Sequence, residues 1–180
     1  DPDKPPVADD EEPGLEGQDF YSPTQATFAN GMHAAIVETD PVTAEIRILR
    51  YCVTHGCGGM TNPLYVEGQV HGGVAQGVGG ALYERMAYDE SGQLLNASFM
   101  DFLMPYASEV PHVETDHLET PSPLNPLGLK GAGEAGTIPV TAVIASAIED
   151  AEGFPVRSMP ISPSELWELR RKHAESPVPV

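Results

Sequence analysis

Residues 68–85 read GQVHGGVAQGVGGALYER, and the expected fold is built around this stretch. Apolar side chains recur along it at the spacing of one helical face: Val70, Val74, Val78, Ala81 and Leu82. Such a stripe predicts an amphipathic helix packed against other structure. The stretch also holds five glycines after its first residue, and each interior glycine costs a helix about 1 kcal/mol relative to alanine. A helix that tolerates them needs a neighbour that approaches very closely.

One face of this predicted helix is unusually flat. On a helical wheel it presents Gln69, Gly72, Gly73, Gln76 and Gly80. Glycine lets a backbone or a ligand come close, and the two amides can hydrogen-bond whatever lies there. The alternative is tight packing of the helix on a sheet, which needs no ligand. The pattern alone leaves both interpretations open.

A second glycine-rich stretch, residues 128–136, reads GLKGAGEAG and precedes another predicted helix. Its glycines at 131, 133 and 136 match the spacing of a dinucleotide-binding loop, but that loop must follow a buried apolar strand. Here the preceding residues 123–127 read PLNPL, and the carboxylate of Glu134 would face a pyrophosphate. A dinucleotide fold is therefore rejected.

Glu134 stands at the centre of this loop as its one carboxylate. If the loop is enclosed, burial raises the pKa of the carboxyl group and suits it to work as a general base, although nearby Lys130 acts in the opposite direction. The alternative is an ordinary exposed glutamate on a flexible loop. The residues alone do not separate these two readings.

The remaining pattern predicts an α+β fold, with a mixed or antiparallel sheet and helices packed on it. A turn at residues 40–43 predicts a β-hairpin. Ser162 and Glu165 form a capping box that begins the last helix. The predicted strands are 26–39, 44–53, 94–105 and 112–119, and the predicted helices are 68–85, 139–152 and 162–172.

The charge of the chain limits its partners. It carries 27 acidic residues against 9 lysines and arginines, for a net charge of −18, so nucleic acid and anionic lipid are not expected to bind. No apolar run is long enough to cross a membrane, and no signal pattern is visible. The two cysteines fall short of a disulfide framework, which predicts a reducing, cytoplasmic location. The expected organisation is an acidic, proline-rich arm at 1–20, one domain at 21–173 and a frayed tail at 174–180.

Isolated histidines, cysteines and the single tryptophan suggest no further site. Cys52, His55, Cys57 and His71 lack the spacing of a structural zinc site, so the chain is expected to supply no metal ligand. Three other histidines show no partner in the sequence and are read as ordinary strand or surface residues: His33, His112 and His117. Trp167 is expected in the core.

Three strings together resemble a known family: LYVEGQVHGGVAQGVGGALYE at 64–84, SFMDFLMPYASEVP at 98–111 and HLETPSPLNPLGLKGAGEAGTIP at 117–139. They are similar to the C-terminal part of the molybdenum-binding subunit of the xanthine dehydrogenase and carbon monoxide dehydrogenase family. The likeness runs from about residue 20 to residue 171, in family order. Gly56 stands where the family commonly has aspartate.

The resemblance implies a molybdenum hydroxylase that oxidises a small aldehyde, an N-heterocycle or carbon monoxide. It implies a molybdopterin cofactor, as the cytosine dinucleotide, with 2Fe-2S and FAD centres on other subunits. Glu134 would be the general base at the Mo–OH group, and Gln76 an amide contact to the cofactor. By the same resemblance, Gly72, Gly73 and Gly77 would leave room for the cofactor. The residues expected near the metal are Lys130, Gly131, Ala132 and Gly133.

The family's subunit is several times longer than this chain. The resemblance therefore implies that the chain is inactive without the remaining part of the molybdenum subunit, an iron–sulfur subunit and an FAD subunit. A binding module of the same fold without turnover is the alternative. An acidic scaffold with a chance glycine-rich loop is a third possibility, and the order of the three strings argues against it.

Overall fold

The computed structural model describes residues 20–23 and 25–175, and within them three helices and a three-stranded sheet confirm the α+β class. The arm expected at 1–20 and most of the tail lie outside the described residues. The elements in chain order are β1 (Asn30–Thr39), β2 (Ile46–Gly56), α1 (Pro63–Leu82), β3 (Val113–His117), α2 (Val140–Glu152) and α3 (Pro163–Glu175).

β1 and β2 form the predicted antiparallel hairpin, paired from Asn30 with Gly56 to Thr39 with Ile46. The turn between them is held by the carboxylate of Asp40, which accepts hydrogen bonds from the backbone N–H of residue 42 at 2.8 Å and of residue 43 at 2.6 Å. This is the Asx-turn chemistry expected of aspartate. The hairpin prediction is confirmed.

β3 lies parallel to β2 on the other side from β1, so the sheet is mixed, with the order β1-β2-β3. A parallel neighbour requires a crossover, and residues 57–112 provide it with α1 inside. The strand predicted at 94–105 is wrong, because these residues form turns and loop. Its apolar side chains do not mark a buried face, since Phe99 is 85% and Met100 is 90% exposed.

The core lies where α1 and α2 pack on the sheet. Val74 and Val78 of α1 and Ile144 of α2 are fully buried there, together with Tyr51 of β2. α1 begins five residues before the predicted start: Asn62 caps it by accepting the N–H of Tyr65 at 3.3 Å. α2 follows its prediction closely and ends at the left-handed Gly153.

α3 begins at the predicted capping box. The N–H of Glu165 donates to the Ser162 hydroxyl at 3.3 Å, and the Ser162 N–H donates to the Glu165 carboxylate at 2.8 Å. Leu166 is fully buried, whereas Trp167 is 50% exposed, so the core role expected for Trp167 is wrong. None of the helices in the described part of the chain is both long and apolar enough to span a bilayer.

Candidate functional site

The glycine-rich loop at 128–136 and α1 meet backbone to backbone. A Cβ placed on Gly73 would lie 2.7 Å from the carbonyl carbon of Gly136, and one on Gly136 would lie 2.7 Å from the carbonyl oxygen of Val70. A Cβ on Gly77 would collide with Val140. In this structure Gly73 and Gly77 allow α1 to pack against α2 and the loop that precedes it, and their role at a cofactor stays a prediction.

Other glycines of the predicted site do leave open space. A Cβ on Gly72, Gly131 or Gly133 would meet no atom within 4 Å. Gln76 is exposed on α1, and its side-chain amide makes no hydrogen bond with another described residue. The second amide of this face, Gln69, donates to the carbonyl of Gly133 at 3.0 Å and so ties the helix to the loop. The predicted site residues therefore include three glycines with open space around them and, on α1, one exposed amide.

Glu134 lines a cleft of about 710 Å³ whose two walls are residues 27–31 and 131–139. Its carbonyl accepts the N–H of Thr137 at 2.9 Å and of Ile138 at 3.1 Å, which forms the turn into α2. The side chain itself is exposed. The expectation of an enclosed carboxylate is therefore not met by the described residues, since the chain leaves this carboxylate on an open wall.

Lys130 is turned away from that cleft. Its ammonium group donates to the hydroxyl of Thr120 at 2.9 Å, and its backbone N–H donates to the carbonyl of Cys57 at 2.8 Å. It lines a separate, smaller cavity with Leu129. Ala132 is half-buried between the open glycines. Of the four loop residues predicted beside the metal, Gly131 and Gly133 line the cleft of Glu134 and Lys130 does not.

His33 of β1 supports the loop, a role that the sequence did not reveal. Its Nδ1 lies 3.0 Å from the hydroxyl of Tyr51, and its Nε2 lies 3.1 Å from the carbonyl oxygen of Ala135. A carbonyl can only accept, so Nε2 carries the proton and Nδ1 accepts from Tyr51. Burial lowers the pKa of His33 and favours this neutral form. The residue next to Glu134 is therefore anchored to the sheet.

Another histidine read as ordinary, His117, also acquires neighbours. It lies beside His55 and Cys57, and the ligand atoms of these three side chains all fall within 4.8 Å of one another. Cys52 and His71, the other two residues considered for a zinc site in the sequence, are not part of this cluster. The grouping depends on strand register, which no linear spacing expresses.

Residues 6–111 match the family model described as a molybdopterin cofactor-binding domain. The chain is 42% identical over 163 residues to the gamma subunit of the 6-hydroxypseudooxynicotine dehydrogenase complex of Paenarthrobacter nicotinovorans, covering 89% of this chain and 20% of that protein. It is 37% identical over 166 residues to the carbon monoxide dehydrogenase large chain of Hydrogenophaga pseudoflava, covering 90% and 20%.

The fold is similar to that of a solved structure, the reconstituted CO dehydrogenase from Oligotropha carboxidovorans. The TM-score is 0.86 at 36% identity, and the match covers 92% of this chain and 21% of that one. The chain therefore spans about a fifth of the length of the relatives that it matches.

Proposed function

Because the chain belongs to the molybdopterin cofactor-binding domain family, as part of a molybdenum subunit of the xanthine dehydrogenase and carbon monoxide dehydrogenase type, we propose that it presents the general base of a molybdenum hydroxylase. Glu134 is that base. The observation that carries the proposal is the placement of its carboxylate on an open cleft wall, on a loop whose backbone is held from both sides.

The described residues fit a bulky, flat cofactor. At Gly72, Gly131 and Gly133 even a methyl group would meet nothing within 4 Å. The exposed side-chain amide of Gln76 can donate and accept hydrogen bonds. Gln76, Gly72 and the backbone of residues 131–133 would hold the molybdopterin, which we take to be the cytosine dinucleotide form.

The bound cofactor would supply a centre that accepts two electrons from the substrate. The chain's own contribution is a proton acceptor: the Glu134 carboxylate can take a proton from the oxygen nucleophile at the cleft. Glu134 is the one acidic residue among those described as lining this cleft. A second carboxylate would raise the pKa of the first by repulsion and oppose an anionic cofactor, so a single acid suits the role.

The cleft is completed by other parts of the assembly. At its rim Phe28 is 81% and Ile138 is 71% exposed, and such apolar surface is expected to be covered by protein. We propose that the remaining part of the molybdenum subunit covers it and excludes water from Glu134. Iron–sulfur and FAD subunits would carry the electrons away, in the cytoplasm. The substrate class is a small aldehyde, an N-heterocycle or carbon monoxide.

The test is reconstitution. The chain is co-expressed with the remaining molybdenum-subunit segment, and the complex is assayed for molybdenum, for the pterin nucleotide and for dye-linked dehydrogenase activity. Cofactor and activity in the complex, with neither in the chain alone, are the expected results. Cofactor binding without turnover of any of the three substrate classes would favour the binding-module alternative, and absence of both would exclude the proposal.

A further inference from the structure

Three metal-ligating side chains meet at one end of the sheet. His55 is the penultimate residue of β2, Cys57 follows that strand, and His117 ends β3. The parallel register pairs His55 directly with His117, which places the two rings side by side with their centroids 6.0 Å apart. The ligand atoms of the three side chains lie within 4.8 Å of one another.

Two of the three residues are buried, and three ring nitrogens of the cluster lack hydrogen-bond partners among the described residues. His55 and Cys57 are each 3% exposed. Neither ring nitrogen of His55 has a hydrogen-bond partner among the described residues, and neither does Nδ1 of His117. A buried polar atom left unsatisfied costs about 1–3 kcal/mol. A ligand that bound these free nitrogen atoms would remove that cost.

His117 is already set in the tautomer that a metal requires. Its Nε2 lies 3.1 Å from the carbonyl oxygen of Gly58, so Nε2 donates and Nδ1 keeps a free lone pair. Metal-bound histidines usually donate their other N–H to a carbonyl or carboxylate in this way.

We propose that His55, Cys57 and His117 bind a zinc ion. Two imidazoles and a thiolate suit zinc, whereas calcium and magnesium prefer oxygen ligands. Tetrahedral zinc with Zn–N bonds of about 2.1 Å and Zn–S bonds of about 2.3 Å places its ligand atoms roughly 3.5 Å apart. The present spacing, within 4.8 Å, would contract toward that distance when the ion binds. A water molecule would complete the tetrahedron.

The zinc would have a structural role, separate from the molybdenum chemistry. Besides holding the ends of β2 and β3 together, it would fix the backbone at Cys57, whose carbonyl accepts the N–H of Lys130 at 2.8 Å. Gly58 also pairs with Leu129 in an isolated bridge. The ion would therefore stabilise the start of the loop that carries Glu134.

The experiment measures metal content on the full chain, purified with whatever subunits accompany it, after dialysis against zinc and then against buffer. We expect roughly one zinc per chain, with at least about a tenfold loss in Cys57→Ser and in His117→Gln. Cys52→Ser and His112→Gln are the matched controls and should retain the zinc. Replacement by cobalt(II) should give a thiolate charge-transfer band that is absent in Cys57→Ser.

Zinc far below one per chain in the wild type, stoichiometric copper or iron in its place, or unchanged zinc in both cluster variants would each overturn the proposal. If the variants do not fold, the wild type still decides the question. A chelator should remove the zinc, and added zinc should restore it to about one per chain, while failure of the wild type to rebind zinc would contradict the site. Molybdenum measured in the same samples separates this outcome from that of the proposed function.

Discussion

The Nε2 atom of His33 lies 3.1 Å from the carbonyl oxygen of Ala135, so the first strand of the sheet holds the residue that follows Glu134. The other ring nitrogen accepts from the buried hydroxyl of Tyr51. The carbonyl can only accept, so Nε2 carries a proton, and burial lowers the pKa of His33, which favours the neutral ring in which Nδ1 accepts from Tyr51. The backbone at the proposed base is therefore held by a titratable residue of the first strand.

Stability should fall in mild acid because of His33. Its pKa is lowered from 6.5 by burial, so below about pH 6.5 the unfolded chain gains a proton that the folded chain does not. The stabilisation by neutral His33 is full above pH 6.5 and is lost as the pH falls toward the lowered pKa. The free energy of unfolding, measured with urea between pH 5 and pH 8, should change less with pH in His33→Gln than in the wild type, whereas exposed His112→Gln should keep the wild-type pH dependence. An unchanged pH dependence in His33→Gln would contradict the assignment.

Glu134→Gln should lower the turnover of the reconstituted enzyme by at least about 100-fold, because the amide cannot accept the proton. Molybdenum and pterin content should stay at wild-type levels, since the amide is isosteric with the carboxylate. Glu90→Gln, an exposed acid in a distant turn, serves as the control and should leave the rate unchanged. A wild-type rate in Glu134→Gln with full molybdenum loading would remove the residue from the mechanism.

Two adjacent glycines of α1 should respond in opposite directions to alanine. Gly73→Ala forces a methyl group to within 2.7 Å of the Gly136 backbone and should destabilise the chain by about 2 kcal/mol. Gly72→Ala meets open space and should stabilise the helix by up to about 1 kcal/mol. In the reconstituted complex, however, Gly72→Ala should reduce pterin content, because the methyl group would occupy the proposed cofactor surface. Urea unfolding and pterin analysis measure the two effects, and equal stability changes at both positions would contradict the packing account.

Arg170→Met should destabilise the chain by about 2–3 kcal/mol at neutral pH. The guanidinium donates to the carboxylate of Glu152 at 2.6 and 2.8 Å and to the Asp40 carbonyl at 2.8 Å, and the Glu152 side chain is only 7% exposed. Removing one partner leaves a buried charge without its counterion.

The same ion pair carries a pH dependence. The hydrogen bond from Arg170 holds the pKa of Glu152 below 4.5, so the stabilisation is present above pH 4.5 and is lost as the pH falls through that lowered pKa. The difference between Arg170→Met and the wild type should therefore shrink in acid. Arg171→Met removes two exposed ion pairs and a contact with the Trp167 ring, should cost no more than about 1 kcal/mol, and provides the comparison in urea unfolding.

The elements with local signals were predictable from the sequence. α2 and α3 carry a complete apolar stripe or a capping box, and their bounds were predicted to within one to three residues. The first two turns of α1 are mostly exposed, so its apolar stripe begins only at Val70 and its true start was missed. The strand at 94–105 was predicted wrongly because its sequence is apolar, although most of the large apolar side chains there are exposed.

In the candidate site, too, local signals were predictable from the sequence and long-range contacts were not. The glycine-rich loop and Glu134 stand out by composition alone. Periodicity shows that α1 must be approached closely, but it cannot say whether the neighbour of Gly73 is a ligand or the protein's own backbone. His33 and His117 owe their roles to contacts 102 and 59 residues distant in the sequence, which depend on register and folding of the whole domain.

The parallel pairing of β2 with β3 has a kinetic consequence. The β1–β2 hairpin joins neighbouring residues and can form within about 1–10 μs, whereas β3 reaches its place only after residues 57–112 have looped back. Closing so long a loop costs entropy before any contact repays it, so the sheet should be completed late. Until then one edge of β2 presents unpaired amides and carbonyls, and a newly made chain is most exposed to misassembly at that edge.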